Sequence, residues 1–193
     1  MSGKQVMLKG FTLIELLVSV GIFSIVMVIA LGALLAMSEA DRKAQTLKTV
    51  VNNLNFSLES MSRTIRTGYD YHCGSPTSFD CTSGMNSLYF TGADGRNVIY
   101  RFANSAGSAS LCGQSALAVG CILRSVGGSS EASLTAPEVV IENAKFYVLG
   151  SPRSPDTVQP RVTILVSGYV NFKEGQKSQF NIQTTVTQRV YDQ

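Results

Sequence analysis

The sequence predicts an α+β protein, with one long amino-terminal helix leading into a mostly antiparallel sheet of about six strands. Three observations carry this expectation. Leu16 to Ser38 holds no charged residue, a run of about 23 residues that is long enough to cross a bilayer as a helix. Beyond it the sequence turns polar but keeps a helical rhythm, with Leu47, Val51, Leu54, Leu58, Met61 and Ile65 spaced to form one apolar stripe. From Ser87 onward, short segments alternate or run apolar and are punctuated by glycine-rich turns. At 193 residues the chain allows one membrane helix and one modest globular domain.

In chain order, the helix is predicted from Phe11 to about Thr67. No proline interrupts it, and Gly68 is its stop signal. At about 1.5 Å per residue it would be near 85 Å long, too long to bury itself in one small domain. Its first half is expected in lipid or against other subunits, and its second half against its own sheet. Gly21 and Gly32 lie in the apolar half. Each weakens a helix by roughly 1 kcal/mol relative to alanine, though in a membrane glycine also lets helices approach closely. Residues 68–86 read as a loop.

Strands are expected at Ser87–Thr91 and Asn97–Phe102, joined by the turn Gly92-Ala93-Asp94-Gly95. Ala103–Ala118 reads as a loop, Val119–Val126 as a strand, and Gly127–Ser133 as a turn. Glu138–Leu149 holds one strand with a break near Glu142-Asn143, or two short ones. Ser151–Pro160 carries three prolines and reads as an exposed loop. Arg161–Phe172 and Ser178–Val190 are the clearest strands, joined by a hairpin over Lys173–Lys177.

One residue does not fit a plain membrane anchor. Glu15 sits at the start of the apolar run, where an ionised carboxylate costs roughly 2.5–3.5 kcal/mol on insertion scales and normally marks a functional site with a partner. An ordinary secretory signal is a poor alternative. Its apolar core is shorter, about 7–15 residues, and Ala36-Met37-Ser38 is a poor version of its cleavage site. Lys9, Gly10, Phe11, Thr12, Leu13, Ile14, Glu15, Leu16 and Leu17 together resemble the processing site of the type IV pilin and pseudopilin family without a gap. That family's site is a short basic leader ending in glycine, then phenylalanine, then a hydrophobic stretch with a glutamate at the fifth mature residue.

The resemblance implies cleavage between Gly10 and Phe11 by a prepilin peptidase and methylation of the new Phe11 amine. It also implies that Glu15 neutralises this amine on a neighbouring subunit. The domains expected are a leader over 1–10, a membrane and assembly segment over 11–38, and an exported domain over 39–193. The last comprises the helix's second half over 39–67 and the sheet over 86–190. Looser matches at Tyr100-Arg101, Leu123-Arg124, Val139-Val140-Ile141-Glu142, Phe146-Tyr147, Pro160-Arg161-Val162 and Arg189 resemble the J-type minor pseudopilins and their type IV pilus counterparts.

Charge agrees with this organisation. The formal net charge is +3, but with Lys4 and Lys9 removed in the leader the 16 basic residues become 14 against 13 acidic ones. No basic patch is visible, so nucleic acid is not an expected partner. The basic leader places the amino end in the cytoplasm and the bulk of the chain outside. Cys73, Cys81, Cys112 and Cys121 then lie in the exported part, where disulfides persist. Four cysteines allow three connectivities. Cys73–Cys81 with Cys112–Cys121 is favoured, because each closes a short loop rich in Ser, Gly and Thr. Free thiols remain the alternative. Zinc needs closer CxxC-like pairs.

No enzyme site, cofactor or metal is expected. His72 is the only histidine, no G-x-S-x-G occurs, and Gly92–Arg96 lacks the alternating acids of a cation loop. The expected protein is a structural subunit of a type IV pilus or a type II secretion pseudopilus, and the J-type resemblance implies a place in a tip complex that primes assembly. Its expected partners are the prepilin peptidase, other major and minor pilins, the inner-membrane assembly platform and the lipid bilayer. The alternative is an adhesin or DNA-binding subunit acting through Ala103–Ala118 or Ser151–Pro160, since loops on a rigid scaffold often carry function.

Overall fold

The computed structural model describes residues 10–74, 80–114, 120–151, 158–173 and 176–189. Two compact units meet within the first helix, one up to Gln45 and the other from Thr46 onward. That helix, α1, spans Leu13–Arg66. In the first unit its apolar side chains stay exposed, from Leu13 and Ile14 through Leu35 and Met37. Among the described residues α1 is the one helix long and apolar enough to cross a membrane, and none of its most apolar stretch is buried within the chain.

In the second unit α1 buries one face. Val50, Leu54, Leu58, Met61 and Ile65 join a single core with side chains from all the longer strands. The observed stripe differs from the predicted one at its upper end: Val50 is buried, Leu47 is half-buried and Val51 is 50% exposed. At about 100° per residue, Val50 falls on the same flank as Ser57 and Val51 on the other. Ser57 fixes which flank packs, because its buried hydroxyl lies 2.6 Å from the Leu134 carbonyl as well as 2.9 Å from that of Asn53.

The carboxyl end of α1 is closed by the next element. Strand β1 is Tyr69–His72, and the Tyr71 hydroxyl sits buried 2.6 Å from both the Ile65 and the Gly68 carbonyl oxygens. It caps this end of the helix beside the Gly68 amide, which already donates to the Ile65 carbonyl at 3.0 Å. Gly68 is required there, since a Cβ would stand 2.5 Å from the Phe90 ring.

The expected single sheet of about six strands is instead two antiparallel sheets, with nine strands among the described residues. The remaining strands are β2 (Cys81–Met85), β3 (Ser87–Thr91), β4 (Asn97–Ala103), β5 (Cys121–Val126), β6 (Ala132–Ser133), β7 (Val139–Leu149), β8 (Arg161–Lys173) and β9 (Gln176–Thr187). The first sheet runs β1-β3-β4-β5-β6 and the second β2-β7-β8-β9. The division falls where β5 pairs with the two-residue β6 rather than with β7, which pairs with β2 and β8. The break expected near Glu142-Asn143 is a register shift between Ile141 and Asn143 within one continuous β7.

Residues 68–86 are therefore not simply a loop, because β1 and β2 lie within them. Ala103–Ala118 also contains a 3-10 turn at Ala106–Ser108 and a short helix α2 at Ala109–Cys112. Residues 75–79, 115–119, 152–157 and 174–175 of the expected loops and hairpin, and Val190 of the last expected strand, lie outside the described residues, as does most of the leader.

Cys73 is bonded to Cys81 and Cys112 to Cys121. The first bond joins the end of β1 in one sheet to the start of β2 in the other. Beside it, the Ser151 amide donates to Asp80 Oδ1 at 3.0 Å and the Ser151 hydroxyl donates to the Tyr71 carbonyl. A second seam lies at Gly120, whose carbonyl accepts from the Ile141 amide at 2.8 Å. The Gln114 amide nitrogen bonds the carbonyls of Gly120 and Val139, and the Gln114 amide oxygen accepts from Gly120 N–H. Backbone approaches so closely here that a Cβ on Gly120 would lie 1.8 Å from the Ile141 oxygen.

Candidate functional site: the amino-terminal segment

Gly10, Phe11 and Thr12 precede α1 as non-helical backbone. A Cβ on Gly10 would meet nothing within 4 Å, and its backbone is not in the left-handed region. Among the described residues, packing therefore places no demand for glycine at this position. Phe11 is 82% exposed.

Thr12 and Glu15 form a reciprocal cap on α1. The Thr12 amide donates to Glu15 Oε2 at 3.2 Å, and the Thr12 hydroxyl donates to the same oxygen at 3.0 Å. In return the Glu15 amide approaches Thr12 Oγ1 at 3.4 Å, and Leu16 N–H makes the first helical bond to the Thr12 carbonyl at 3.2 Å. This is a capping box, in which a threonine and the glutamate three residues on satisfy otherwise unpaired helix donors. The carboxylate also lies at the positive end of the helix dipole. The T-x-x-E pattern before an apolar run is a helix-start signal in the sequence, and it accounts for Glu15 at this position independently of the cost of its charge. Both Thr12 bonds end on Oε2, so the second carboxylate oxygen keeps acceptor capacity for another donor.

Residues 9–31 match the family profile described as the prokaryotic N-terminal methylation motif. The amino end is pilin-like. The motif implies processing by a prepilin peptidase, anchoring in a membrane through the apolar part of α1, and assembly with other pilins. It contains Gly10, Phe11 and Glu15, so the cap geometry above is the geometry of the matched segment. Comparisons with curated proteins and with solved structures found no match.

The other residues weighed in the sequence lie apart from this segment. The four cysteines are all paired. His72 stacks on Tyr89, with ring centroids 5.4 Å apart, and its Nδ1 is 3.1 Å from the Asp70 carbonyl oxygen. Its neighbour Cys73 is tied up in a disulfide and presents no thiol. In the Gly92–Arg96 turn, Asp94 accepts from Arg96 N–H at 3.1 Å and from Arg96 Nε at 2.7 Å. The Arg96 side chain holds the Asp94 carboxyl below the usual carboxylate range, and the backbone bond adds to the effect. Among the described residues no three His, Cys, Asp or Glu side chains are grouped to hold a metal ion.

Proposed function

We propose that the protein is a minor pilin or pseudopilin, a structural subunit rather than an enzyme. In this reading it is processed at Gly10–Phe11 and built into the fibre of a type IV pilus or a type II secretion pseudopilus. The J-type resemblance favours a place in the complex at the fibre tip that primes assembly. The observation that carries the reading is the amino-terminal motif with Glu15 held at the helix start.

The physical logic runs through three residues. Gly10 has open surroundings and no conformational need for glycine. A requirement for it there fits recognition by a peptidase. Cleavage frees the Phe11 amine, which remains a cation after methylation. Glu15 supplies the opposite charge. In a low-dielectric membrane the attraction between the two far exceeds its value in water, and either charge left alone is heavily penalised. Thr12 fixes the carboxylate at the helix start while leaving one oxygen available. Pairing with the amine of a neighbouring subunit would then set the register of each addition.

Two measurements test this. Mass spectrometry of the membrane-extracted protein should find a chain beginning at N-methylated Phe11; a mature chain that retains Gly10 would overturn the reading. The second uses Glu15→Gln. Glutamine can serve in a capping box but carries no charge. The variant should be cleaved normally yet enter the fibre fraction at least tenfold less than wild type. Equal incorporation would show that Glu15 acts as a cap and not as a charge partner.

A further inference from the structure

The globular unit contains an arginine-lined cavity that the fibre reading does not use. Its volume is about 360 Å³, and it lies between the end of α1, the Gly92–Arg96 turn and strands β4 and β5. Arg63, Arg96 and Arg124 line it, together with Thr64 and Thr67, and among the described residues Asp94 is its only acid.

Arg124 is the unusual member. It stands opposite Tyr100 on the β4–β5 ladder, so the two side chains share a sheet face. Tyr100 is fully buried on that face. Arg124 therefore enters from the core side of the sheet, and its Nε is buried without a hydrogen-bond partner. The Tyr100 hydroxyl beside it is likewise buried, with the Thr64 hydroxyl as a polar neighbour. Burial raises the Tyr100 pKa, so this phenol stays neutral and supplies no counter-charge at neutral pH.

The other charges are already committed. Arg63 pairs with Glu59 at 2.8 Å, and Asp94 pairs with Arg96 at 2.6 Å. The threonine hydroxyls bond backward to helix carbonyls, Thr64 to Ser60 and Thr67 to Arg63 and Thr64. Among the described residues the wall thus carries three guanidinium groups against one carboxylate, and Arg124 makes no ion pair with it. Arg124 itself is half-buried, so the rest of its guanidinium is open to a ligand, and a guanidinium does not neutralise by losing a proton. Its planar fork is matched by carboxylate and phosphate oxygens.

We propose that this cavity binds a compact oxyanion, a carboxylate or phosphate group, with Arg124 as the inner ligand and Arg96 and Arg63 at the mouth. The test uses the full chain in a non-ionic detergent, titrated calorimetrically with inorganic phosphate and with citrate against sodium chloride of matched ionic strength. Saturable binding of one equivalent of either anion is expected, and which one binds more tightly distinguishes a phosphate site from a carboxylate site. Arg124→Gln should weaken binding at least tenfold. The Arg63→Gln/Arg96→Gln pair, both exposed, should weaken it several-fold without disturbing the fold, and gives the answer even if the Arg124 variant does not fold. Absence of saturable binding beyond the chloride control, or undiminished binding in the double variant, overturns the proposal.

Discussion

Arg101 and Glu131 show how a single pair can matter locally without deciding the fold. The Arg101 guanidinium donates to both oxygens of Glu131, joining β4 to the residue just before β6 across β5. The hydrogen bonds lower the Glu131 pKa and raise that of Arg101, while partial burial opposes both shifts. With side chains 36% and 30% exposed, solvent screening leaves the pair worth about 1 kcal/mol at most. Its pH dependence has a definite sign. A carboxyl whose folded pKa is depressed contributes fully above its unfolded value of about 4.3, and the contribution is lost as pH falls through the lower folded value. Urea unfolding of wild type and Glu131→Gln should therefore differ at pH 7 and converge on acidification below about pH 4.3. A difference that is constant down to pH 2.5 would mean that the pair's charge contributes nothing.

At the scale of elements, the end of α1 depends on a side chain from β1. The Tyr71 hydroxyl is the buried donor between the Ile65 and Gly68 carbonyls, and its ring packs against Phe90 at 5.7 Å. Tyr71→Phe keeps the ring and removes the donor. It should destabilise the unit by about 1 kcal/mol, because a buried hydrogen bond is lost while the Ile65 carbonyl keeps the Gly68 amide as donor. Denaturant midpoints measure this, and an unchanged midpoint would mean that the helix end is satisfied in another way.

The same helix shows what was legible beforehand. Leu54, Leu58, Met61 and Ile65 recur at helical spacing, and Gly68 follows, so the packed half of α1 could be read directly. Val50 and Val51 could not be separated, since adjacent valines both flank such a stripe and only the contact at Ser57 chooses between them. β2 was not legible at all. Cys-Thr-Ser-Gly-Met has no alternation and little apolar surface, and it becomes a strand because β7 offers it an edge and Cys81 is tied to Cys73. At the amino end the matched segment was read residue by residue. The Thr12 hydrogen bonds are legible only through the T-x-x-E pattern, in which Glu15 is a helix-start residue as well as a membrane charge.

At the scale of the whole globular unit, the expectation of one sheet failed because hairpin connectivity does not say where a sheet ends. Consecutive strands β5, β6 and β7 are close in sequence, yet pairing passes from one sheet to the other through contacts distant in sequence. The bonds of Ser151 to Asp80 and Tyr71 are one such crossing, reinforced by the short-range Cys73–Cys81 bond, and the Gly120–Ile141 contact is another. The disulfides therefore have different jobs. Cys73–Cys81 bridges the sheets, whereas Cys112–Cys121 ties α2 to β5 within the first sheet's side of the unit. Loops this short give each bond a similar stabilisation, about 2–3 kcal/mol, from the restriction of the unfolded chain. Replacing either pair by serines should thus lower the midpoint of thermal unfolding by roughly 5–10 °C. Hydrogen exchange should tell them apart, because local opening follows local support. In Cys73→Ser/Cys81→Ser the amides of β2 should exchange faster, while those of β8, held between β7 and β9, lose only what global stability loses. In Cys112→Ser/Cys121→Ser the β2 amides should stay protected to the same extent as β8, and the accelerated exchange should appear in α2. Equal protection of β2 in the two variants would mean that pairing with β7 alone holds that edge, and that the first disulfide is not the bond joining the sheets.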